Sequence, residues 1–230
     1  MTSRVPVLAA LLCLTGSGCA TTTAGTALPP AQLPPTPGTL PALLLPAAEV
    51  GQAMGAPGLV VTREATAPWN DVAHLPDAPP GCLAVAGAAQ QAEYAGTGWT
   101  ALHARVLREP PAASAWAHFA VQSAVLFPSA EAAEVFFAAS RRRWAGCSDR
   151  ELTYAQSLVP PQVWTVGPVS ADHEMLAVSR VERSPQKWSC QRALTVHENV
   201  AVDVEACSLN GPSTAATTIA RAIAGRIGPA

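Results

Sequence analysis

Residues 188–207 read WSCQRALTVHENVAVDVEAC, and this stretch decides the fold. Ala193, Leu194, Thr195 and Val196 lie on one side of Glu198 and Asn199; Val200, Ala201, Val202, Asp203 and Val204 lie on the other. Two runs rich in apolar and β-branched residues about a two-residue turn spell a β-hairpin. A turn at Glu198 and Asn199 pairs His197 with Val200, and counting outward at that register sets Cys190 opposite Cys207. Directly opposed residues on antiparallel strands lie about 4.5 to 5.5 Å apart at Cα, within the reach of a disulfide. Cys190 is therefore expected to bond Cys207. Asp203 and Glu205 alternate on one face of the second arm. They can be imagined as an acid pair, but that pattern reads as the solvated side of a strand.

The chain holds six cysteines. Cys13 and Cys19 fall in the N-terminal stretch considered below, which leaves Cys82, Cys147, Cys190 and Cys207. An even number in an exported chain points to disulfides. With Cys190 and Cys207 assigned to each other, Cys82 is left with Cys147. In the chain-entropy model the two loops contribute at most about 3 and about 4 kcal/mol. No two of these four cysteines are close enough for the paired spacing of a zinc site, and no C-x-x-C redox motif occurs, so no metal or other cofactor is expected.

Residues 1–18 have the three parts of an export signal. Arg4 gives the positive start, 5–14 the apolar stretch, and Gly16, Ser17 and Gly18 the small residues a peptidase accepts. The apolar stretch is far shorter than the roughly 20 residues a membrane helix needs, so it reads as a cleaved leader. Cys19 directly after Gly18 resembles a bacterial lipobox, whose cysteine receives a diacylglycerol. Gly16 stands where lipoboxes usually carry Leu, and the alternative is an ordinary secretory signal cut after Ala20 or Ala24. Residues 19–38 then form a lipidated cysteine and a tether rich in Thr, Ala and Pro, extended and solvated.

The remaining chain, 39–228, reads as one domain. Helices are expected at 41–54, ended by Gly55, and at 82–94. Clearer ones are expected at 128–145, capped by Ser129 with Ala133, Phe136, Phe137, Ser140 and Trp144 on one face, and at 214–227 with Ala216, Ile219, Ile223 and Ile227 buried. Strands are expected at 59–61, 98–108, 116–127, 152–159, 163–169 and 176–182, before the hairpin. A proline-rich loop covers 66–81. Strands in series pair antiparallel, so the class is α+β: a twisted, mostly antiparallel sheet with helices packed against it.

Three features together look familiar: Trp144-x-x-Cys147 ending a helix rich in Phe and Ala; the segment from Cys190 through Gln191, Arg192, Ala193 and Leu194 into the arm from Asn199 to Val204; and Cys207 before a closing Ala/Ile helix. The pattern resembles the PknH-like extracellular domain, the sensor domain of a mycobacterial transmembrane Ser/Thr kinase, found also in stand-alone lipoproteins. The resemblance covers about residues 40–227. It implies the same disulfide pairing, a twisted antiparallel sheet with helices, and a surface cleft proposed to bind an unidentified ligand. No kinase domain and no transmembrane helix are read in this sequence, so what the resemblance implies is a binding module rather than a kinase.

The sequence offers little for catalysis. His74, His103, His118, His173 and His197 are scattered, and His197-Glu198 begins an H-E-x-x-H motif that Ala201 breaks. No G-x-S-x-G occurs. No catalytic residue is assigned. A net charge of −2 without a basic cluster argues against nucleic acid. Of the six tryptophans, Trp144 is expected in the core, and Trp69, in the proline-rich loop, is the candidate for ligand contact. The expected protein is a monomeric, non-enzymatic envelope lipoprotein, held at the cell membrane through Cys19. It binds an unidentified small ligand, cell-wall fragment or lipid. The rival readings are a module docking on a membrane or secreted protein, and an unrecognised hydrolase.

Overall fold

The strands arrive in two runs, and the sheet forms where the runs meet. The computed structural model describes residues 34–70, 81–113, 116–155, 160–172, 174–209, 211 and 214–227. The leader, Cys19, the core of the proline-rich loop with His74, and His173 lie outside these. Two helices come first, α1 (Leu40–Leu43) and α2 (Ala47–Met54). Then β1 (Val60–Ala65), β2 (Ala101–Arg108) and β3 (His118–Leu126) form one antiparallel meander, with the short helices α3 (Leu83–Ala86) and α4 (Gln91–Tyr94) between β1 and β2. Helix α5 (Ala130–Ala145) carries the chain to the far edge of the sheet. From there β4 (Arg150–Tyr154), β5 (Gln162–Val166), β6 (Ser170–Ala171), β7 (Met175–Glu182), β8 (Trp188–His197) and β9 (Val200–Leu209) lead back to the middle. The order is β1-β2-β3-β9-β8-β7-β5-β4, with β6 on β7, and every pairing between these strands is antiparallel. Helix α6 (Ala215–Ala224) closes the fold.

The hairpin has the expected register. His197 pairs with Val200 and Cys190 with Cys207, and those cysteines form a disulfide with Cα atoms 4.0 Å apart. Glu198 takes φ 50°, the left-handed backbone that a two-residue turn between twisted strands demands. Asn199 closes the turn against β3: its carbonyl accepts from Phe127 N–H at 2.8 Å, and its Nδ2 donates to the Phe127 carbonyl at 3.2 Å. Cys82 bonds Cys147.

Alternation sorts β9 onto two cores. Val200, Val202, Val204 and Ala206 face α1, α2 and α6, together with Ala216, Ile219, Ala220 and Ile223. Ala201 and Cys207 face α3, α4 and α5, together with Phe136, Phe137 and Trp144. Both helix stripes are the ones the 3.6-residue period selects, and Ser129 caps α5 by accepting from Ala132 N–H at 3.1 Å. Full burial of Ile219 or Ile223 stabilises by about 1.5–3 kcal/mol each.

Three expectations fail, each for a physical reason. The helix expected at 41–54 is two helices, because Pro46 cannot continue one and the chain has already turned extended at Leu44, with ψ 146°. The backbone of Leu45 is satisfied instead by the buried side chain of Gln122, which accepts from its N–H and donates to its carbonyl, both at 2.8 Å. The helix expected at 82–94 also breaks, into α3 and α4, with Ala89 at φ 55° between them. Asp203 and Glu205, expected on a solvated face, are buried. The last two failures share one cause, which lies beneath the candidate site.

Candidate functional site

Arg180 on β7, Arg192 on β8, and Asp203 and Glu205 on β9 share the sheet face beneath α3 and α4, all buried. Buried charge is tolerated only when paired and hydrogen-bonded. Arg192 Nη2 meets Asp203 Oδ1 at 2.5 Å, and Arg180 Nη2 meets Glu205 Oε1. Further partners are supplied by the segment that failed to be a helix. Arg192 Nη1 donates to the carbonyls of Ala84, at 2.7 Å, and Gly87, and Arg180 Nη1 donates to the Val85 carbonyl at 3.0 Å. Ala88 N–H donates to Glu205 Oε2 at 3.2 Å and Ala89 N–H to Asp203 Oδ2 at 2.8 Å. An unbroken helix would consume these backbone groups internally; the break hands them to the ion pairs.

The same cluster sets the local proton affinities. Burial, then the Asp203 carboxylate, pushes the Tyr94 phenol well above its usual range, and its O–H donates to Asp203 Oδ2 at 2.8 Å. Burial also raises Glu93, against the pull of Arg143 and Arg192; Glu93 accepts from Ser140 Oγ at 2.9 Å and Arg143 Nη2 at 3.0 Å. Burial opposes the charge on Arg192, but Asp203 and Glu205 outweigh it and its pKa rises. The four floor residues are held in place by their mutual hydrogen bonds and those to the 84–89 backbone.

Beside this floor lies a cleft of about 370 Å³. Its walls carry Trp69, Trp116, Phe119, Tyr154, Trp164 and Trp188, and its base holds Arg180, Glu205 and the Cys190–Cys207 disulfide. Trp116 and Trp188 lean together with centroids 5.0 Å apart, and Tyr154 stacks on Trp164 at 5.7 Å. The Arg180 guanidinium lies 5.1 Å from the Trp164 ring and 5.8 Å from the Tyr154 ring. Burial pushes the Tyr154 phenol up to about 12. Volume and lining are those of a small-molecule site, where aromatic walls carry a few fixed polar groups.

The candidates from the sequence distribute as follows. Trp69 stands in the cleft wall, itself buried, its indole N–H donating to the Ala88 carbonyl at 3.0 Å and the Arg63 guanidinium 4.8 Å from its ring. Trp144 is core, as expected, under the Arg192 guanidinium. Cys19 lies outside the described residues. Cys190, Glu205 and Cys207 are close enough together to suggest a metal cluster, but the two sulfurs are spent on each other. His118 Nδ1 lies 2.7 Å from Glu109 Oε1, and among the described residues no hydroxyl hydrogen-bonds to either. The sequence reading missed Arg180 and Arg192. The signal was present, since the hairpin register that joins Cys190 to Cys207 also sets Arg192 opposite Glu205.

The domain is a disulfide-stapled α+β fold with one face of its sheet hollowed into an aromatic cleft. The chain belongs to the PknH-like extracellular domain family, whose model matches residues 35–226. It is 33% identical over 172 residues to the serine/threonine-protein kinase PknH of Mycobacterium tuberculosis and to that of Mycobacterium bovis, a match covering 73% of this chain. The chain spans about a quarter of those kinases' length (26% and 27%). The crystal structure of the extracellular domain of PknH from Mycobacterium tuberculosis superposes with a TM-score of 0.75 at 29% identity, covering 85% of this chain and 97% of that one. Among the described residues no helix is long and apolar enough to cross a membrane.

Proposed function

We propose that this protein is a monomeric lipoprotein of the cell envelope, held to the membrane through a lipid on Cys19, whose sensor-like domain binds a small ligand or envelope component in the aromatic cleft without catalysing a reaction. The observation that carries the reading is the cleft itself: six aromatic side chains about a volume of about 370 Å³, over a base whose charges are fixed by pairing. The membership of the chain in a family of extracellular domains supports an extracytoplasmic place, and the leader-like start with Gly18 before Cys19 supports the anchor. The rival reading, a docking module, finds less support. Among the described residues the exposed large hydrophobics Val61, Trp116, Val135 and Val181 are dispersed over β1, the approach to β3, α5 and β7 rather than gathered on one element.

Two measurements test the two halves. The intact mass of protein from its native membrane is expected to equal residues 19–230 plus lipid; a lipid-free mass starting beyond Cys19 removes the anchor. A small-molecule extract of the envelope is expected to raise the thermal midpoint of the wild-type chain and not that of a variant carrying Trp116→Ala and Trp188→Ala. Equal shifts in both proteins, or no shift in either, would rule the cleft out as the binding site.

A further inference from the structure

The charge of the cleft narrows what it accepts. Of the described residues that line it, only Arg180 and Glu205 are charged, and they neutralise each other. Each is also held from below: Arg180 Nη1 donates to the Val85 carbonyl, and Glu205 Oε2 accepts from the Ala88 amide. A charged ligand would therefore find no free counter-charge among these side chains, and it would pay the full cost of leaving water.

The polar atoms that remain unpartnered are two uncharged groups and the third nitrogen of the Arg180 guanidinium. Tyr154 Oη, Trp164 Nε1 and Arg180 Nε are buried without a hydrogen-bond partner among the described residues, and the Arg180 guanidinium, at the base, lies against the wall that Tyr154 and Trp164 form. An acyl chain seated against that wall would leave every one of them unsatisfied. A hydroxyl oxygen accepts from such donors. Gln162, half-buried at the same wall, adds an amide that both donates and accepts. The indoles of Trp116 and Trp188, which lean together in the lining, add apolar ring surface. Hydroxyl groups beside an apolar C–H face, with no net charge, describe one ligand chemistry.

We infer that the cleft binds an uncharged sugar, its C–H face against the indoles of Trp116 and Trp188 and its hydroxyls against Gln162, Tyr154, Trp164 and Arg180. The inference rests on the cleft being the binding site.

The test titrates the full chain, followed by tryptophan fluorescence and saturation-transfer NMR. The probes are neutral oligosaccharides of glucose, galactose, mannose and arabinose, uronic-acid oligomers as charged counterparts, and palmitate. A neutral oligosaccharide is expected to bind at least tenfold more tightly than its charged counterpart or palmitate. Trp116→Ala and Gln162→Ala, both at partly exposed positions, are each expected to weaken that binding by about three- to tenfold. If palmitate or a uronic-acid oligomer binds more tightly and is lost in Trp116→Ala, the sugar is wrong and the cleft stands. Neutral sugar binding untouched by either substitution overturns the cleft as well. No binding by any neutral sugar overturns the inference.

Discussion

Arg192 is fully buried, and its guanidinium holds Asp203, two backbone carbonyls and the face of Trp144 at once. Removing one member of a buried ion pair strands the other, which costs far more than the pair is worth on the surface. Arg192→Met is therefore expected to lower unfolding free energy by about 3–5 kcal/mol in urea titration. Arg183→Met, which breaks an exposed pair with Glu151, is expected to cost less than about 1 kcal/mol. Similar losses for the two would show that the buried cluster does not hold the 84–94 segment. At this scale the sequence was half legible. Trp144 was readable as core from its place on a helix face. Asp203 and Glu205 were misread, because alternation of polar residues tells which face they share and not what covers that face. Their partners Arg180 and Arg192 come from other strands, and the cover comes from a segment more than a hundred residues earlier.

At the scale of elements, the strongly periodic helices and the hairpin followed from sequence because their information is local. The stripe of α6, the cap of α5 and the Cys190–Cys207 register are all set within about twenty residues. The 82–94 segment fails for the opposite reason: its composition favours helix, and its partners across the sheet win. The Cys82–Cys147 disulfide fastens that segment to the end of α5, closing a loop of 65 residues, whereas Cys190–Cys207 closes 17 within a hairpin already paired. Cys82→Ala with Cys147→Ala is expected to cost up to about 4 kcal/mol, and Cys190→Ala with Cys207→Ala up to about 3. The first pair of substitutions is also expected to speed hydrogen exchange at Ala88 and Ala89, whose amides depend on the segment staying docked. Unchanged exchange there would show that the ion pairs alone retain it.

At the scale of the whole molecule, β3, β8 and β9 lie inside the sheet with helices on both faces, while β1 and β4 form its edges. Opening is least costly where one side of a strand is unpaired. Native-state exchange followed by mass spectrometry is expected to leave the amides of β9 and β8 protected longest and those of β4 and β1 shortest. Protection of β4 equal to that of β9 would contradict the layered packing. The sequence by itself determined the α+β class, the hairpin register with its disulfide, the buried stripes of α5 and α6, and the family resemblance, since periodicity and spacing are properties of neighbours along the chain. Only the tertiary structure decided that the 82–94 segment breaks, that its freed amides and carbonyls settle on Arg180, Arg192, Asp203 and Glu205, and that aromatic residues from five separate stretches wall one cleft. Those outcomes depend on which backbone groups and charges meet across the sheet, and no window along the chain contains both partners.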